Sequence, residues 1–161
     1  EFRRVLFRSL LTNGEIDQAK TGKLIELAYP MGVTFHRAFD RCLNPYEALE
    51  ELVNLGCERI LSSGQQLTAP EGVHLLSELQ QLADNRIIIM PGSGVRVDTI
   101  ELLAKLTGCT EFHSSLRDVV ASHMEFKHPS FKESKESYHN PSIESKAIGQ
   151  LKEILISVKT T

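Results

Sequence analysis

A chain of 161 residues, 41% hydrophobic and 24% charged, has the composition of an ordinary globular protein and is long enough to bury a core. Its 18 Lys and Arg against 21 Asp and Glu leave a formal net charge of -3, which excludes the broad basic field that nucleic acid or an anionic membrane surface would require. No apolar run approaches the roughly 18 residues of a membrane-spanning helix. Neither nucleic acid nor membrane is expected as a partner.

The chain begins without Met, and its opening segment, Glu1 to Ser9, differs in character from the rest of the chain. Its apolar stretch is too brief for a targeting signal and lacks a cleavage site. Residues 1–9 read as adapter-like sequence joined to an interrupted reading frame, so they are expected to lie outside the fold. The remainder then reads as a fragment.

Four short segments are rich in β-branched and aromatic residues: Val33-Thr-Phe-His36, Arg59-Ile-Leu-Ser62, Arg86-Ile-Ile-Ile-Met90 and Glu111-Phe-His113. Measured from Val33, Ile60, Ile87 and Phe112, they recur at intervals of 27, 27 and 25 residues. Near-continuous apolar runs mark strands buried on both faces, as in parallel sheets. Helical patterns fill the gaps. Leu24 to Ala28 ends a helix that feeds Val33. Asn44-Pro45 pairs an N-cap with Pro at the first helical position, ahead of Ala48, Leu49, Leu52, Val53 and Leu55 and a terminal Gly56. Ala69-Pro70-Glu71 opens a second helix with Val73, Leu75, Leu76, Leu79 and Leu82 as core candidates. Arg96-Val97-Asp98 opens a third, through Ile100, Leu102, Leu103 and Leu106 to Gly108.

Strand, loop, helix and glycine repeated at this spacing give right-handed βαβ units. A full (β/α)₈ barrel spends about 31 residues on each unit, so residues 10–131 predict roughly half of a TIM-type barrel. A doubly wound open sheet is the competing architecture. Residues 132–141 read as a polar linker. Ser142 would cap a last helix over residues 142–161, with Ile143, Ala147, Ile148, Leu151, Ile154, Leu155 and Val158 on one side. Half a barrel would leave two open sheet edges, which favours homo-oligomers.

In parallel folds, functional groups gather where strands run out into βα loops. Here the tips carry His36, Arg37 and Asp40, then Ser62, Ser63 and Gly64, then Gly92, Ser93 and Gly94, then His113, Ser114 and Ser115. Ser63, Gly64, Gly92, Ser93, Gly94, Ser114 and Ser115 are candidates for holding an anion through backbone N–H groups and hydroxyls, or are plain turns. His36, Arg37, Asp40 and His113 are the candidate catalytic residues. The two histidines could serve as acid–base groups, as metal ligands, or as hydrogen-bonded residues lining the mouth. Arg37 and Asp40 could orient an anionic ligand or pair with each other.

Three cysteines without a Cys-x-x-Cys pair read as reduced thiols. Cys57 and Cys109 come directly after helix-ending glycines and read as core fillers. Cys42, near a strand tip, joins His36 and His113 as a candidate soft-metal ligand. His123-Met124 and His128 are of copper-ligand type but scattered.

Leu11-Thr-Asn-Gly-Glu-Ile-Asp17, Val33-Thr-Phe-His-Arg-Ala-Phe-Asp40, Arg59-Ile-Leu-Ser-Ser-Gly64, Met90-Pro-Gly-Ser-Gly-Val95 and Glu111-Phe-His-Ser-Ser115 together resemble the CutC family of copper homeostasis proteins, in order and spacing, from Leu10 to Ser130. The resemblance implies a (β/α)₈ barrel, cytoplasmic placement and copper as the bound ion. It also implies that four earlier strands, one bearing a cysteine, are absent from this chain and would supply copper ligands. The ring of His, Arg, Asp and Ser suggests instead an enzyme for a small phosphorylated or carboxylated metabolite. Copper and that small anion are the two expected ligands.

Overall fold

The computed structural model of the chain describes residues 4–7, 9–126, 128–131, 139–143 and 145–160. Four strands, β1 (Arg4–Phe7), β2 (Gly32–Phe35), β3 (Arg59–Ser62) and β4 (Ile88–Pro91), pair side by side in chain order, all parallel. Parallel neighbours require crossovers, which helices supply: α1 (Gln18–Ala28), α2 (Pro45–Asn54), α3 (Val73–Ala83) and, after β4, α4 (Ile100–Thr107). The segment predicted as the next strand adds to β4 by a single parallel bridge, Gly92 to His113, with the His113 N–H donating to the Pro91 carbonyl at 2.9 Å.

Local chemistry sets the element ends. Asn44 caps α2 as predicted, its Oδ1 accepting from Tyr46 N at 3.1 Å and Glu47 N at 3.4 Å. Asp17 does the same for α1, accepting from Lys20 N at 3.0 Å, and that bond holds its carboxyl below the usual range. Two helices start later than predicted. Residues 69–72 form turns before Val73, and residues 96–99 form a turn that Thr99 closes by accepting from Arg96 N at 2.9 Å and donating to the Gly94 carbonyl at 2.8 Å. The third predicted strand also begins late, at Ile88. Asp84 and Asn85 adopt positive φ, and Arg86 reaches back to the Leu82 carbonyl at 2.7 Å, closing the end of α3.

Strand alternation sorts the side chains into two ranks. Phe35, Ile60 and Ile89 are register partners, each fully buried in one cluster with Leu49, Leu52, Leu76, Leu79 and Leu103. Burial of such a side chain is worth about 1.5–3 kcal/mol. Leu82, Leu102 and Leu106, expected in that core, are instead about half exposed. The alternate rank holds Thr34, Arg59 and Ile88. Arg59, 3% exposed, donates Nε to Glu111 Oε2 at 2.6 Å and lies 2.6 Å from Glu58 through Nη1. The two carboxylates offset the cost of burying its charge.

Two regions depart from the sequence reading. Residues expected outside the fold include β1, an edge strand parallel to β2, and Ser9, which is 6% exposed and accepts from Asp17 N at 3.0 Å; residues 1–3 and 8 lie outside the described residues. At the other end, β5 (Arg117–Ala121) pairs antiparallel with β6 (His139–Ile143), and α5 (Ser145–Thr160) comes next, its Leu151 joining the main core. Ser142 and Ile143, expected to open that helix, therefore belong to β6. Of the predicted polar linker, residues 132–138 lie outside the described residues and residues 139–141 are strand. Among the described residues, no helix is long and apolar enough to cross a membrane.

Candidate functional site

Each parallel strand releases its chain at the same end of the sheet. After β2 the backbone passes His36 and enters a short 3₁₀ turn, Phe39–Arg41, which carries the Asp40 carboxylate back towards the β3 loop. Asp40 Oδ1 accepts from Ser62 Oγ at 2.6 Å, Ser63 N at 2.9 Å and Gln65 N at 3.3 Å. Its Oδ2 accepts from Arg37 Nε at 2.7 Å and Ser63 Oγ at 3.0 Å. Charge-assisted bonds of this kind are the strong ones, and a carboxylate this enclosed has little lone-pair capacity left for substrate. Asp40 is thus a clamp between two strand tips.

Arg37 is held by more than that carboxylate. Its Nη2 donates to Ser63 Oγ at 2.6 Å and to the Gln66 carbonyl at 3.3 Å, while 40% of the side chain stays exposed. Ser62 and Ser63 are fully buried. The Ser63 hydroxyl has a single proton to offer Asp40 or the Gln66 carbonyl 2.5 Å away, so it has none for a ligand.

The β3 and β4 loops are tightly built. A Cβ on Gly64 (φ +68) would meet the Gly72 carbonyl oxygen at 2.2 Å, and one on Gly72 would meet the Ser63 carbonyl oxygen at 2.0 Å. Gln65 and Ser93 hold φ of 58 and 76, a left-handed conformation that costs non-glycine residues energy. Surrounding bonds fix both: Gln65 Nε2 donates to the Cys42 carbonyl at 2.8 Å, and the Ser93 carbonyl accepts from Ala69 N at 2.8 Å. Both strained residues thus lie in strand-end loops, Gln65 after β3 and Ser93 after β4.

A cavity of about 290 Å³ opens there, lined by Arg37, Leu61, Ser93, Gly94, Val95, Arg96, His113, Ser114 and Ser115. It unites predicted residues from three strand tips. The N–H groups of Gly94 and Val95 have no acceptor among the described residues. Ser114 is partly spent, donating to the Val95 carbonyl at 2.6 Å. Sequence reasoning takes Arg96 only as a helix opener. A basic residue two positions after Gly-x-Gly is the signal for its place here. Ser63, Gly64 and Gly92 do not line this cavity: Ser63 is consumed by the clamp, and Gly92 packs between Leu61 and His113.

His36 lines a neighbouring cavity of about 510 Å³ with Ser9, Leu10, Lys20, Arg37, Ala38 and Arg41. His36 and His113 therefore sit in separate cavities, with Arg37 in the wall of both. The His36 Nδ1 accepts from Ala38 N at 2.8 Å, which puts the proton of the neutral ring on Nε2.

The three thiols line neither cavity. Cys42, Cys57 and Cys109 are all buried and free, and burial pushes each up to about 11 from its ordinary 9.0. Cys42 Sγ lies 3.5 Å from Gln65 Nε2, a donor. His123, Met124 and His128 are exposed. Among the described residues, no group of three or more His, Cys, Asp or Glu is placed to hold a metal ion.

Residues 1–118 match the model of the CutC family. The chain is 51% identical over 123 residues to a CutC family protein of Parabacteroides distasonis, covering 76% of this chain and 51% of that protein. It is 49% identical over 123 residues to one of Chromobacterium violaceum, covering 76% and 50%. A solved CutC structure from Streptococcus agalactiae, named for copper homeostasis, superposes with a TM-score of 0.64 at 28% identity, covering 67% of this chain and 53% of that one. The chain spans about half the length of the curated relatives it matches. It belongs to the CutC family.

Proposed function

We propose that this chain serves copper homeostasis as part of a cytoplasmic CutC family protein, and that its strands form one side of a (β/α)₈ barrel. Family membership carries the reading, together with the copper-homeostasis name of the Streptococcus agalactiae relative. The barrel is supported by strand order: each strand adds beside the last, whereas a doubly wound sheet reverses direction at a switch point. Its open edges, at β1 and at His113, favour self-association of the chain alone.

Among the described residues, none are grouped in a way that suits copper. Cu(I) selects thiolates and thioethers, and the three thiols are buried, protonated and dispersed. On this reading the copper ligands belong to the part of the full-length relatives that this chain does not span. Competition titration with Cu(I) tests it. The full-length Parabacteroides distasonis protein should bind tighter than about 1 μM, and this chain should not. A full-length relative without such binding overturns the copper assignment.

One observation favours a second reading: Arg37, Ser93, Gly94, Arg96, His113 and Ser115 meet in one strand-end cavity. Two guanidinium groups, two N–H groups and a histidine suit a small phosphorylated or carboxylated metabolite, with His113 as the acid–base group. A ligand that binds only the folded chain raises its Tm. Millimolar inorganic phosphate should do so, and Arg37→Met with Arg96→Met should remove the effect. An unmoved wild-type Tm would count against this reading.

A further inference from the structure

We infer that the two cavities flanking Arg37 are lobes of one site, and that its ligand is a small molecule with an anionic group at each end. The inference rests on the anion reading of the first lobe, around Ser93, Gly94 and Arg96, and adds the second, around His36, Lys20 and Arg41.

The second lobe presents donors. Lys20 and Arg41 bring cationic donors, and Arg37 reaches both lobes. The His36 ring, held by Ala38 N at its Nδ1, offers Nε2–H without needing a second proton. Ser9 also lines this lobe. It is 6% exposed, and its hydroxyl has no hydrogen-bond partner among the described residues, a state rare enough in folded proteins to need a cause.

Among the described residues, no Asp or Glu side chain lines either cavity. Two carboxylates on neighbouring segments, Asp40 and Asp17, already have partners. Asp40 is closed over by Arg37 Nε, Ser62 Oγ and the N–H groups of Ser63 and Gln65, with the Ser63 hydroxyl beside them. Asp17 accepts from Lys20 N and lies 3.4 Å from Lys20 Nζ, whose side chain is 68% exposed and lines the cavity. In a chain of net charge -3, Arg37, Lys20 and Arg41 gather around the second cavity, and its described lining residues include no carboxylate, which favours an anion there. Linking two anionic groups makes the second contact intramolecular, so a ligand that spans both lobes gains affinity over either group alone.

Calorimetric titration of this chain with matched probes decides the matter. Inorganic phosphate is compared with propane-1,3-diyl bisphosphate, and acetate with glutarate, so that the tighter pair also identifies the anion. The expected result is at least tenfold tighter binding for one two-headed probe than for its single-headed counterpart. Lys20→Gln with Arg41→Gln should bring that probe down to the affinity of the single-headed one. Both substitutions are at exposed positions, and the wild-type comparison stands without them. Phosphate binding with no preference for either two-headed probe overturns the second lobe and spares the first. Binding of none of the four overturns both.

Discussion

Arg37 Nε donates to Asp40 Oδ2 at 2.7 Å across a single turn of chain, and the carboxylate it meets is only 7% exposed. The pair joins the β2 tip to the β3 loop, and it aims the remaining face of the guanidinium at the strand-end cavities. On the anion reading, Asp40 would act on a ligand only through Arg37.

Asp40→Asn tests that role. The amide has nearly the same shape, but its NH₂ must face a donor that Asp40 now satisfies. Losing charge-assisted bonds at a buried site costs about 2–4 kcal/mol. Urea denaturation should show that loss, and phosphate binding should weaken although Arg37 keeps its charge. A change below roughly 0.5 kcal/mol with unaltered binding would contradict the clamp.

Two glycine-to-alanine substitutions should move stability in opposite directions. At Gly72 the new methyl would meet the Ser63 carbonyl oxygen at 2.0 Å, so β3 and its loop must shift. A loss of about 2 kcal/mol or more is expected for such overpacking. At Gly149, inside α5, nothing lies within 4 Å, and helix propensity alone should add up to about 1 kcal/mol. Thermal melts of both variants check the pair. Equal effects would mean that the Gly64–Gly72 approach is not as tight as described.

The thiols give a pH prediction. Each is raised to about 11 in the fold from 9.0, because burial disfavours the thiolate. Two pKa units correspond to roughly a hundredfold less thiolate near pH 8. Alkylation by iodoacetamide should therefore be slower by at least that factor in the native chain than in guanidinium chloride. A raised folded pKa contributes stability fully present below 9.0 and lost as pH climbs through about 11. Unfolding midpoints should accordingly fall across that alkaline window. A thiol that reacts at its denatured rate would be exposed, and Cys42 would then regain its standing as a metal ligand.

Legibility in the sequence depends on which signals are local. The 27-residue spacing of Val33, Ile60 and Ile87 and the Asn44-Pro45 cap are short-range patterns, and they lead directly to the parallel order and to α2. The β5–β6 hairpin is not legible. Its second strand carries Pro141 and His139 with no apolar alternation, and a two-stranded pairing tolerates a proline that a central strand would reject. Strand 4–7 escapes notice because it lies within residues 1–9, whose sequence looks foreign, although Val5, Leu6 and Phe7 make the short apolar run that pairs with β2.

The lining of the candidate cavity is half legible for the same reason. Strand-end position picks out Arg37, Ser93, Gly94, His113, Ser114 and Ser115. It cannot show that Ser63 is spent on Asp40, because that bond joins residues 23 apart in sequence. Nor can it bring in Arg96, Lys20 or Arg41, whose type is common on any surface and whose meaning lies in the cavities they line.

The most direct measurement is a titration of the ¹⁵N-labelled chain with inorganic phosphate, monitored by amide NMR shifts. Saturable shifts centred on Gly94, Val95 and Ser115, accompanied by the Arg37 side-chain Nε signal, are the predicted result. Shifts scattered over the surface lysines, or confined to residues remote from the ends of β2, β3 and β4, would contradict a shared strand-end site.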